Sequence, residues 1–78
     1  MDQEERSQNA VLLKADVDHI CRTLRGYGVL SHNVLCREAG GDHWSYGRFQ
    51  AALRQAVRDG RVTDLGAGLY ELSESERV

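Results

Sequence analysis

After Gly60 the spacing of apolar residues changes from a repeat of about 3.6 to a repeat of about two. Before it, Phe49, Ala52, Leu53, Ala56 and Val57 recur at helical spacing, and Gly60 closes the run because glycine accepts the left-handed backbone of a helix C-cap. After it, Arg61-Val62-Thr63-Asp64 and Leu69-Tyr70-Glu71-Leu72 alternate on either side of Leu65-Gly66-Ala67-Gly68, which has the length and glycine content of a hairpin connection. A lone two-stranded hairpin is marginal in water. It has to pack on helices and recruit a third strand. A chain of 78 residues has room for one core, which excludes a two-domain enzyme with an interdomain cleft.

The remaining elements follow from the same signals. Leu13, Val17, Ile20, Cys21, Leu24 and Tyr27 form one face of a first helix. Either Asn9 or Asp16 caps its start, Gly26 suits its C′ position, and Arg22 and Arg25 place positive charge on its last turn. Gly28-Val29-Leu30-Ser31 is a short extended segment able to pair with the hairpin. Ser31 then caps a second helix through about Ala39, which Gly40-Gly41 ends. Ser45 caps the third helix, with Trp44 stapled onto Phe49. The predicted core is Ile20, Leu24, Val34, Leu35, Phe49, Leu53, Val57, Tyr70 and Leu72. The expectation is an α+β domain over residues 11–73, with three helices and a three-stranded antiparallel sheet in the order α-β-α-α-β-β. A polar arm over residues 1–10 frays, and a polar tail covers residues 74–78.

The formal net charge of −2 conceals a segregation. Residues 1–18 carry −3, residues 19–61 carry +4 through seven arginines, and residues 62–78 carry −3. Partners respond to local fields as well as totals, so the basic middle outweighs the acidic pI as a guide to binding.

Tyr27-Gly28-Val29-Leu30-Ser31, the helix Val34-Leu35-Cys36-Arg37-Glu38-Ala39-Gly40, the run from Phe49 through Leu53 and Val57 into Gly60-Arg61-Val62, and the return Gly66-x-Gly68-x-Tyr70-x-Leu72 together resemble the winged helix-turn-helix fold. That resemblance implies binding of double-stranded DNA, with the third helix in the major groove and the wing on the backbone, by a small transcriptional regulator or nucleoid-type protein. The residues suit it. With Phe49 at zero on a helical wheel, Leu53, Ala56 and Val57 lie within about 80°, while Arg54, Gln55 and Arg58 lie at about 140° to 240°. Arginine can bond guanine bidentately and glutamine can bond adenine. Ser45, Tyr46, Arg48 and Arg61 are expected on the phosphate backbone, with Arg37 as a flanking contact. A net negative total and a hairpin tip without lysine or arginine hold the expected contacts to about four to six phosphates, with strong salt dependence. Dimerisation would double them.

A second class uses the same fold to bind protein, through the acidic arm and the apolar Leu65 and Leu69. Catalysis has little support: His19, His32 and His43 are scattered, and neither serine–histidine neighbourhood contains a carboxylate to orient an imidazole. Cys21 and Cys36 lack the paired spacing of a zinc site and fit buried free thiols in a reducing compartment. No cofactor, metal or small-molecule substrate is evident. The N-terminus lacks the pattern of a signal peptide and no window spans a membrane, which points to the cytoplasm, in the nucleoid of a bacterium or the nucleus of a eukaryote.

Overall fold

The computed structural model describes residues 2–40 and 46–77. Its elements are α1 (Asp2–Tyr27), β1 (Leu30–Ser31), α2 (His32–Glu38), α3 (Tyr46–Arg58), β2 (Val62–Gly66) and β3 (Leu69–Leu72), followed by a 3₁₀ turn over Glu74–Glu76. This is a small α+β domain of three helices and a three-stranded antiparallel sheet in the order α-β-α-α-β-β.

The first helix differs from expectation at both ends. Its backbone is helical from Asp2, through the stretch expected to fray and past both proposed caps. No proline or glycine precedes Gly26, so nothing in the backbone chemistry of the stretch breaks the helix. The helix also runs through Gly26. The C′ residue is Gly28, at φ +90°, whose N–H donates to the Leu24 carbonyl at 2.7 Å. Tyr27 is thereby turned out of the apolar face and is 60% exposed, with its hydroxyl donating to Glu38 at 2.8 Å.

Ser31 ends β1 and caps α2, its Oγ accepting from the Val34 N–H at 3.4 Å. The second helix stops at Gly40, at φ +97°; Gly41 and the Trp44 side of the proposed staple lie outside the described residues. At the end of α3, Gly60 donates to the Val57 carbonyl and Arg61 to that of Ala56, both at 3.0 Å. This paired closure is a Schellman motif, and it aims the chain directly into β2.

The sheet order is β1-β3-β2, so the hairpin pairs through β3 with the segment before α2. Leu30 faces Tyr70, and Val62 faces Leu72. A bulge between Asp64 and Gly66 brings Gly66 opposite Leu69 and leaves Ala67-Gly68 as the connection. It is tighter than the four-residue link expected, and both of its residues have positive φ, 54° and 75°.

Ile20, Leu24, Leu35, Phe49, Leu53 and Leu72 are buried as expected, joined by Val17, Cys21, Ala39, Ala52, Ala56 and Val62. Val34, Val57 and Tyr70 are only half-buried. The His32 ring packs edge-on to Phe49 with centroids 5.2 Å apart and lies 6.2 Å from Tyr70. Beyond Leu72 the chain turns back: Arg77 Nε donates to the Leu72 carbonyl at 3.0 Å and its guanidinium pairs with Glu71 at 2.8 Å. Within the segment expected as a polar tail, Glu76 and Arg77 are tied to the domain by polar contacts.

Candidate functional site

Helix α3 and the hairpin frame an open hollow of about 460 Å³ lined by Gln50, Leu53, Arg54, Val57, Arg58, Asp64 and Tyr70. Phe49, Ala52, Leu53 and Ala56 anchor the opposite side of the helix in the core, so the 3.6 repeat necessarily turns Arg54 and Arg58 outward. Both are exposed, one turn apart, and neither takes part in an ion pair among the described residues. Asp64 faces the same hollow, with its Oδ1 accepting the Gly66 N–H at 2.9 Å.

Gln55 lies on another side of α3. Its Nε2 donates to Asp59 Oδ1 at 2.7 Å, and it lines a groove with Leu13, Lys14, Val17, Asp59 and Arg61 between α1 and α3. The structure therefore separates it from Arg54 and Arg58.

The two arginines expected to flank the helix are engaged by α1. Arg48 Nε and Nη2 donate to the two oxygens of Asp16 at 2.7 and 2.8 Å, across 32 residues of sequence. Asp16 is 5% exposed, a carboxylate set among Val17 and Ile20 on the buried face of α1. That fork-to-fork pair holds the Arg48 guanidinium above its ordinary pKa. Arg61 Nη1 donates to Asp18 at 2.6 Å and its Nε to Glu76 at 2.8 Å. Its pKa is raised by these two bonds, and Asp18 is lowered chiefly by the same contact with Arg61. Arg37 lies 3.7 Å from Glu38 with its side chain 69% exposed, a loose surface pair. Ser45 lies outside the described residues; Tyr46 opens α3, and its side chain lies outside them too.

Asp16, Asp18 and Glu76 are the residues that sequence reasoning missed. Asp16 left one trace, an acid at position i+3 from Leu13 and i−4 from Ile20, inside the apolar stripe. Such a position demands a cation from a neighbouring element. Asp18 and Glu76 have no comparable mark. Cys21 is buried and Cys36 half-buried, both as free thiols, and burial pushes the Cys21 thiol up. No helix among the described residues is long and apolar enough to cross a membrane. Comparison with protein-family models, curated proteins and solved structures finds no match to this chain.

Proposed function

We propose that the chain is a winged helix-turn-helix module that binds double-stranded DNA, acting as a small transcriptional regulator or nucleoid-type protein in the cytoplasm or nucleus. The observation that carries the reading is the sorting of the arginines. Arg48 and Arg61 are neutralised by carboxylates of other elements, while Arg54 and Arg58 stand exposed on the outer face of α3 without an ion pair among the described residues. An arginine kept out of internal pairs carries its full charge and five donors to a partner. Phosphate oxygens and the guanine edge are the partners this geometry suits. Arg37 serves as a peripheral contact. Arg48 and Arg61 act on the free domain as positioning residues, holding α3 and the hairpin on α1.

The test is a titration of the labelled protein with a short random duplex at low and moderate salt, followed by backbone amide shifts. Shifts clustered on α3 and the hairpin that fade as salt rises support the reading. Replacing Arg54→Glu and Arg58→Glu together is expected to weaken binding by about a hundredfold or more, since each such contact is worth about 1–3 kcal/mol. Both residues are exposed, so the circular dichroism spectrum stays that of the parent.

One observation favours a protein-binding alternative. Tyr27, Val29, Leu65 and Leu69 are large apolar side chains between 39% and 60% exposed. Absence of any duplex-induced shift at low salt removes the DNA reading and leaves this one.

A further inference from the structure

Arg25 and Arg61 converge on the last turn of the fold. Arg61 Nε donates to the Glu76 carboxylate at 2.8 Å, and Arg25 Nη2 donates to the Glu76 main-chain carbonyl at 2.9 Å. The same two arginines line a hollow of about 380 Å³ with Asp18, Cys21 and Arg22. Three arginines and the Asp18 carboxylate of α1 therefore border the hollow. Among the described residues Asp18 is bonded to Arg61 alone of the three, and Glu76 supplies Arg61 with a second anion. The 3₁₀ turn that brings it contains no buried residue. Polar contacts hold it: those to Arg61 and Arg25, with Arg77 on Glu71 and the Leu72 carbonyl. A segment fixed by ionic contacts at a part-exposed surface is displaceable by a competing anion, in a way that an apolar anchor is not. Arg61 also borders the groove between α1 and α3, beside Gln55 and Asp59. It is thus placed to extend the contact surface of α3.

We propose that Glu76 is an internal anion seated on a masked phosphate-binding surface built by Arg25 and Arg61, and that the phosphates of a bound duplex displace it. The partner named here rests on the DNA reading of α3; the masked anion surface does not. The turn acts as a built-in competitor: it lowers affinity for phosphate and leaves Arg54 and Arg58 untouched.

Inorganic pyrophosphate and a random duplex separate the two parts. Arginine Nε–Hε resonances are followed in the full chain during pyrophosphate titration, for the wild type, Glu76→Gln, and Glu76→Gln with Arg61→Gln. In Glu76→Gln the Arg25 and Arg61 signals are expected to respond at pyrophosphate concentrations about fivefold lower, the size of one partly exposed ion pair. Adding Arg61→Gln returns the response to that of the wild type. With duplex, Glu76→Gln is expected to steepen the slope of log affinity against log salt by about one, because the wild type, on releasing Glu76, takes back one cation at the freed carboxylate and the amide does not. Glu76→Lys, which repels Arg61, repeats both effects and guards against a residual bond from the amide. An equal pyrophosphate response in wild type and variants, with only a lower melting temperature, marks a purely structural clamp and overturns the inference. So does an unchanged duplex slope where the wild type binds duplex. Should no protein in the series bind duplex, the reading of α3 falls, and the pyrophosphate arm still decides whether Glu76 masks an anion surface.

Discussion

Arg48 illustrates how one neighbour decides the use of a side chain. On a helical wheel it borders the outward face of α3, beside Arg54 and Arg58, and its residue type suits phosphate. In the fold both oxygens of Asp16 take its donors, and Asp16 is almost wholly buried. A buried carboxylate that loses its cation is left with the desolvation penalty and no compensation, so the pair persists for structural reasons even if it contributes little net stability. Asp16→Asn keeps the shape and removes the charge. It is expected to lower unfolding stability by about 1–3 kcal/mol, the range for a hydrogen bond to a charged group, as read from the urea midpoint. Arg48→Ala is expected to lower the melting temperature as well, and to change duplex affinity less than Arg54→Ala does in the same buffer. A duplex defect at Arg48 as large as that at Arg54 would return Arg48 to the contact surface.

At the scale of elements, the tightest constraint is the hairpin turn. Its connection, Ala67-Gly68, has both residues in the left-handed region, the pattern of a type I′ turn, whose right-handed twist matches the strands it joins. Glycine takes that conformation freely, whereas Ala67 at φ +54° sets its Cβ against the following carbonyl. Asn-Gly is the preferred pair for this turn. Ala67→Asn is therefore expected to raise stability by about 0.5–1 kcal/mol and to shift the melting curve upward with no change in duplex affinity. The same turn shows where sequence reasoning stops. Glycine content located a connection between two alternating runs, yet the bulge at Leu65 that shortens it depends on the register of β3 against β2. The stop of α2 at Gly40, the closure of α3 at Gly60, the Ser31 cap and the pairing of β1 with β3 were legible because each rests on local chemistry or on a single compulsory partner. The outward placement of Arg54 and Arg58 was legible too, since period alone dictates it. The ion pairs were not: Arg48 finds Asp16 across 32 residues and Arg61 finds Asp18 across 43, and periodicity assigns a residue to a face without saying what packs on that face. The end of α1 was misplaced for a smaller reason, because Gly26 and Gly28 both offer the required freedom and only the geometry of the Leu24 carbonyl selects between them.

Across the whole molecule, the acidic ends and the basic middle of the sequence are folded onto each other. Asp16 and Asp18 from the first segment and Glu76 from the last take up Arg48 and Arg61 of the middle one. The segregated charge thus works first as internal cross-linking, and the arginines of the middle segment left outside the ion pairs among the described residues are Arg54 and Arg58 on α3 and Arg22 and Arg25 on α1. With Arg54, Arg58 and Arg37 as contacts, and Arg25 and Arg61 joining them as Glu76 is displaced, log affinity for duplex against log salt is expected to have a slope of about −3 to −4, because the freed Glu76 carboxylate takes back a cation. Fluorescence anisotropy between low and moderate salt reads it, and a slope shallower than about −1 would mean that Arg54, Arg58 and Arg37 do not together reach phosphate. The same cross-links set the response to acid. Arg61 holds the Asp18 carboxyl below its ordinary value of 3.8 in the folded state. A depressed folded pKa means that the unfolded chain takes up the proton first, so the contribution of Asp18 is fully present above about pH 5. It is then lost as pH falls past the unfolded value and through the lower folded one. The Asp18 side chain is 43% exposed, so screening keeps this contribution below about 1 kcal/mol. Urea unfolding at steps from pH 6 to pH 3 is expected to show stability declining toward the acid end, with a shallower decline in Asp18→Asn, whose amide does not titrate. If the two curves run parallel through that window, Arg61 draws no pH-dependent stability from Asp18, and the clamp at the base of the hairpin rests on Glu76 alone.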